Sequence, residues 1–240
     1  VIKYLRKDGF ETMAKVEPKF HRGLPDERRA LLIRATIDCL ATNGHAGVSV
    51  RRIAAAAGVS AGLINHYFVS IDDLVAQSFD QVATEILRKL GLRVDAAGPD
   101  PRLRLSAYLD AYFSPLLVDQ DLIRVWVVFW SLIPHSAELR EIQKRSAGEY
   151  RALIERELAA FAHQAGADKF DAARAALGLF AMLDGLWLEL CLNPLSYPPA
   201  EGVILCRHWI DGELGRAGMP PAEWPPIEME RLAALAPKVG

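Results

Sequence analysis

Cysteine is scarce. Three residues in 240, Cys39, Cys191 and Cys206, are too few and too scattered for a disulfide framework. Their odd number points to a reducing compartment, the cytoplasm. An apolar segment ending in a small-residue cleavage site is missing, so no secretory signal is expected. The most apolar stretch, 175–192, is interrupted by Asp184 and Glu189, which argues against a membrane span. Alternating apolar and polar residues, the mark of strands, do not occur, nor do low-complexity tracts or internal repeats. The histidines form no His-x-x-x-His pair, and Cys206-x-His208 lacks two further ligands at metal spacing, so no metal site is expected. A Gly-x-Ser-x-Gly elbow, a phosphate loop and a dinucleotide fingerprint are absent too. No cofactor is expected, and an enzyme is a poor fit.

What remains is an ordinary globular composition: 51% apolar, 24% charged, and a net charge of −2 from 28 Lys+Arg and 30 Asp+Glu. The length allows one large domain or two smaller ones. The balance hides an asymmetry, because residues 1–69 carry 11 Lys+Arg against 6 Asp+Glu. A basic front on an acidic body is the layout of a polyanion-binding module joined to something else.

Helical periodicity begins at Asp26, after a basic arm (1–24) in which Met13 reads as a natural start. Leu32, Ala35, Thr36 and Leu40 step by three and four before Asn43-Gly44 stops the helix. Ser49 opens a short helix to about Ala56, Gly58 supplies a turn, and Ser60 caps a second short helix to about Tyr67. Ser70 with Asp73 three residues on begins a longer helix whose inward row runs from Ile71 to Leu90. Asp100-Pro101 opens a helix expected to reach Leu117. Residues 121–133 are apolar nearly all round, which predicts a buried helix ended by Pro134. Further helices are expected over 136–164, 170–192 and 199–215. A Pro-rich stretch over 220–226 then leads to a short amphipathic tail over 228–236.

Two short helices around a tight glycine turn are the helix-turn-helix arrangement, in which the second helix enters the major groove. Residues 50–68 fit it. Ala54, Ala55, Ala56 and Ala57 let two helices cross closely, Gly58 accepts a positive φ, and Ile53, Val59 and Ile64 tie the pair together. Gly62 permits close approach of backbone to DNA, and free N–H groups after Ser60 can receive a phosphate.

The ungapped run from Arg28 to Ala76 resembles the TetR family of transcriptional repressors, through Asn43-Gly44, Ser49-Val50-Arg51, Ile53-Ala54, Ala57-Gly58-Val59-Ser60, Gly62 and His66-Tyr67-Phe68. The later part is similar to the BetI-type subgroup, linked to choline and betaine metabolism. The residues are Val125-Trp126, Phe129-Trp130, His135 to Leu139, Tyr150 and Leu183-Asp184-Gly185-Leu186-Trp187-Leu188. The resemblance implies an all-α, nine-helix fold: a helix-turn-helix DNA-binding domain (25–70), a ligand-binding and dimerisation domain (71–218) and a C-terminal extension (219–240). It implies a homodimer through the helices near 170–192 and 199–215, binding a pseudo-palindromic double-stranded operator and released by a small molecule.

By position, Ser49 and Arg51 would hold phosphates, and Ser60, Ala61, Gly62, Leu63, Asn65, His66 and Tyr67 would face the groove. Asn reads adenine, and Leu63 suits a thymine methyl. This chain has Ile71 and Ala61 where the family commonly has Lys, a loss of cations that Lys19, Arg22 and Arg28 could make good. In the body, Trp126 and Trp130 stand one turn apart, as do Asp184 and Trp187, with Tyr108 and Tyr112 as further walls. Aromatic faces beside a carboxylate suit a choline-like cation. Such pairs equally serve as ordinary core. Two other readings stay open: a dimeric small-molecule-binding module with a weakened DNA head, and a small helical enzyme.

Overall fold

The computed structural model describes residues 25–167 and 169–227; the basic arm and the amphipathic tail lie outside them. Among the described residues there are nine α-helices and no strand. They are α1 (Pro25–Asn43), α2 (Val50–Ala57), α3 (Ala61–Tyr67), α4 (Ile71–Ala96), α5 (Pro101–Tyr112), α6 (Gln120–Leu132), α7 (Ala137–Gln164), α8 (Ala172–Leu192) and α9 (Pro199–Arg216). Three ends differ from expectation. α5 stops at Tyr112 rather than Leu117, where Phe113 leaves helical geometry. α4 runs on past Leu90 to Ala96. α8 begins at Ala172, because the Asp171 carboxylate accepts from the Arg174 N–H and caps it.

The chain forms two compact units. The first comprises the residues up to Val82 with Arg124–Ile142; the second holds Ala83–Ile123 and everything from Gln143 onward. The division falls inside α4, α6 and α7, which run through it unbroken.

In the first unit α2 packs on α1 and α3. Leu32, Ile37, Leu40, Ile53, Ile64 and Phe68 are buried, while Val59 is only half-buried. Burial of each large aliphatic side chain contributes roughly 1.5–3 kcal/mol. Gly58 closes α2 in the left-handed region (φ 66°), and its N–H returns to the Ala54 and Ala55 carbonyls. A Cβ there would be strained, which is why the turn needs glycine.

In the second unit α9 packs on α5 and α8. The approach of α9 depends on Gly202, where a Cβ would stand 2.4 Å from the Phe113 ring. Buried polar groups are tied across the unit. Arg104 donates to both oxygens of Glu157 (2.8 and 3.0 Å), and the Tyr150 hydroxyl donates to the Ala83 carbonyl. α6 is less buried than its composition predicts: Arg124 and Ser131 are exposed, and Trp130 is half-buried. α8 is, by length and composition, apolar enough to cross a membrane, and Asp184 and Glu189 do not remove it from that class. Its Leu177 and Leu192 stand 53% and 72% exposed.

Candidate functional site

The front unit presents a helical pair whose small residues set the spacing and whose longer ones face outward. Ser49 caps α2 by accepting from the Arg52 N–H (3.3 Å). The Arg52 guanidinium donates to the Gly47 carbonyl at 2.9 Å, which holds it against the backbone. Arg51 stands exposed. Ser60 begins α3 in extended geometry, but its side chain makes no capping bond, contrary to expectation, so the N–H of Gly62 gains no side-chain acceptor from it. Ser60, Ala61, Gly62, Asn65 and His66 are exposed, Leu63 and Tyr67 half-buried. Ile64 and Phe68, in contrast, point into the core. This alternation is what one turn-by-turn helical face requires: Ile64 and Phe68 anchor, and the residues between them remain available. Arg29 lies over the Phe68 ring at 5.1 Å and donates to Gln77, locking the end of α3 between α1 and α4. Asp73 and Ser70 exchange caps at the start of α4, Asp73 accepting from the Val69 N–H and Ser70 from the Asp73 N–H. Ile71 is half-buried, so the position that departs from the family's lysine contributes packing instead of charge.

In the second unit Tyr108, Tyr112 and Trp187 are buried, with Tyr112 4.9 Å from Trp187 and 6.0 Å from Tyr108, centroid to centroid. Asp184 is close enough for its charge to raise both tyrosine pKa values further, after the larger effect of burial. Its own carboxyl is pushed up to about 7, because burial disfavours the charged form and no neighbouring cation opposes it. The Tyr108 hydroxyl is buried with no hydrogen-bond partner among the described residues. Cys206, on α9, is pushed up to about 12 by burial and is an inert thiol.

Trp126 and Trp130 lie on α6. They belong to the first unit, where Trp126 meets Phe79 edge-on at 5.5 Å and Trp130 at 6.3 Å. One turn of helix does bring the two tryptophans together, and Phe79, which Trp126 meets, also packs on Phe129. No group of three or more metal-ligating side chains occurs among the described residues.

The pattern of bacterial regulatory proteins of the tetR family matches residues 32–77, and that of the BetI-type transcriptional repressor C-terminal domain matches residues 101–215. The transcriptional regulator BetI of Stenotrophomonas maltophilia is 35% identical over 200 residues, covering 82% of this chain and 98% of its own length. The chain belongs to the TetR family of transcriptional regulators. A regulator from Pseudomonas aeruginosa PAO1 shares its fold at a TM-score of 0.76 with 43% identity, over 82% of this chain and 95% of its own. A regulator from Saccharomonospora viridis, crystallised in complex with choline, has the same fold at a TM-score of 0.69 and 20% identity, over 77% of this chain and 96% of its own.

TetR-family regulators bind operators as dimers and respond to small-molecule effectors; the chain is such a regulator with a BetI-type body, and not an enzyme. In this setting α8 is a helix of the regulator's body. One part of the TetR-family body escaped the sequence reading. A cavity of about 430 Å³ in the second unit is lined by Arg93, Leu103, Ser106, Asp110, Pro225 and Pro226, with four small side chains between them. It contains none of the six residues expected to bind ligand. The available signal was Ser106 and Asp110, two polar residues four apart on the most buried helix of the body.

Proposed function

We propose that this regulator represses by holding its operator as a dimer and is released by a small quaternary ammonium compound of the choline class. The observation that carries the effector reading is Asp184, a carboxylate with no hydrogen bond or ion pair to the described residues, whose charge is felt by Tyr108 and by Tyr112, the ring packed on Trp187. An aromatic cluster with an uncompensated acid favours a cation by both charge and ring quadrupole. The choline bound to the Saccharomonospora viridis regulator supports the same chemistry. Trp126 and Trp130 are left out of this site.

In the reader, Asn65 and Leu63 address base edges, and Ser49, Arg51, Ser60, His66 and Tyr67 address phosphates. Ala61 and Gly62 let the helix sit close to the duplex. The dimer forms through α8 and α9, whose exposed Leu177, Leu192 and Leu205 supply an apolar face for the symmetry mate. Two reader helices spaced about one DNA turn apart then meet two half-sites. Effector binding favours a conformer with another spacing, and each tenfold of release needs a preference of about 1.4 kcal/mol between conformers.

The test is fluorescence anisotropy with DNA from upstream of the protein's own gene against scrambled DNA across a salt series, then with choline added. Sequence-dependent binding with a steep salt slope, reversed by choline in the wild type and not in Asp184→Asn, is expected. Equal weak binding to both DNAs would favour a dimeric binding module with a weakened head. The uncharged Ala61 and Ile71 and the backbone-bound Arg52 are what recommend that second reading.

A further inference from the structure

The C-terminal stretch beyond α9 is strapped onto the body by side chains from three helices. Arg102 donates to the Glu223 carbonyl and Arg207 to the Pro225 carbonyl, at 2.9 and 2.8 Å. The Trp224 indole N–H lies 3.1 Å from both Asp211 oxygens, while its ring stacks near Phe161 and under the Arg207 guanidinium. This strap lies past residue 215, where the match to the BetI-type domain ends. Its Pro225 and Pro226 form one wall of the 430 Å³ cavity, and the last turn of α4 and one face of α5 form the others. That volume suits a small organic molecule.

The charges around the cavity do not cancel. Asp110, 4% exposed, lies 3.7 Å from the Arg207 guanidinium, so the acid already has its cation. Arg207 also donates to the Ser106 hydroxyl at 2.7 Å, and its Nε has no acceptor. Ser106 accepts that bond at 3% exposure, which leaves its own hydrogen to give. Arg93, half-buried on the cavity wall, has no carboxylate partner among the described residues. The rest of the named lining, Leu103, Ala107 and the two prolines, is apolar.

We infer that this cavity is a second ligand site, for a small monocarboxylate with an apolar body. The carboxylate pairs with Arg93 and accepts from Ser106, and the hydrocarbon lies along Leu103, Ala107 and the Pro225-Pro226 wall. A carboxylate meets a guanidinium in a fixed forked geometry, which makes Arg93 the orienting group. The inference does not depend on the Asp184 reading, since the two sites share no residue and call for ligands of opposite charge.

The probe is octanoate, titrated calorimetrically into the full-length protein, with octylammonium as the same chain of opposite charge. One octanoate per chain is expected. Affinity should fall at least tenfold in Arg93→Gln and be lost in Ala107→Phe, which fills the cavity. It should be unchanged in Asp184→Asn, and octylammonium should not compete. Absence of octanoate binding, equal affinity in Arg93→Gln, or loss of binding in Asp184→Asn alone would each overturn the assignment. Arg93→Gln replaces a half-buried side chain on the cavity wall, so it keeps the test decisive if Ala107→Phe fails to fold.

Discussion

The front unit and the second unit solve opposite problems with the same helical material. In the front unit the functional side chains stay out of the core: Asn65 and His66 are exposed between the buried Ile64 and Phe68. In the second unit the groups that matter are inside. Asp184 is half-buried near Tyr108 and Tyr112, Glu157 is 2% exposed between two arginines, and Asp110 and Arg207 meet beneath a proline strap. A reader must offer polar atoms to a polyanion, so it leaves them in water and orients them with a rigid small-residue frame. A sensor must distinguish one small molecule from water, so it pays the desolvation of charge and lets a ligand relieve it.

That contrast can be broken by experiment. The largest effect is expected for Arg104→Ala, which strips Glu157 of its bidentate partner. Burial pushes this acid's pKa up, but the bonds from Arg104 and Arg156 more than offset that and hold it low. Leaving the carboxylate with Arg156 alone should cost about 3 kcal/mol of stability by denaturant unfolding. Operator affinity of the folded fraction should not change. A comparable loss of DNA affinity in folded protein would mean that the two units are not energetically separable.

Asn65→Ala should do the reverse. Its side chain is exposed and touches no core, so the melting temperature should stay within about a degree (a surface change of ±0.5 kcal/mol at most). Operator affinity should fall by about 1–3 kcal/mol, with relaxed preference at one base pair of each half-site. Retained affinity with retained specificity would remove Asn65 from the reading surface.

Asp184→Asn sharpens the comparison through pH. The folded pKa, about 7, lies above the ordinary unfolded value of about 3.9. The native state therefore holds the proton more tightly, and the stability this confers is full below pH about 4 and is lost as pH rises through 7. The wild type should lose stability relative to Asp184→Asn between about pH 4 and 7. Binding of a cation runs the other way, because it needs the ionised acid, so choline affinity in the wild type should rise over the same range. Parallel stability curves for the two proteins would show that Asp184 is ordinary and solvated.

The smallest effect is expected for Ser49→Ala. It removes the cap that Arg52 N–H makes at α2 and should cost about 1 kcal/mol. A second, separate loss in DNA affinity would report the phosphate contact assigned to the same hydroxyl. Absence of that second loss would leave Ser49 as a cap only.

Much of the reader was legible because its determinants are local. Ser49, Gly58, Ser70 and Asp73 act within one or two turns, through caps and a left-handed residue, and their spacing is written directly in the chain. The apolar steps of α1 and the break at Asn193-Pro194 are equally short-range. The Ser60 cap misled because residue type does not settle rotamer: the extended backbone is there, but the hydroxyl bond is not. Trp126 and Trp130 show a different limit. Helical spacing says that two side chains share a face, and it is silent on which neighbours that face will meet. Here Trp126 meets Phe79 as well as Trp130.

The sequence by itself determined the helix order, the turn chemistry of the reader and the family, because each follows from residues close together along the chain or from an ungapped motif. Only the tertiary structure decided which aromatics gather around Asp184, that Glu157 is buried with Arg104 on a helix 53 residues away, and that residues 220–226 fold back to wall a cavity. Those are long-range choices made by burial. The cost or gain of hiding a charge depends on everything packed around it, and no local pattern carries that information.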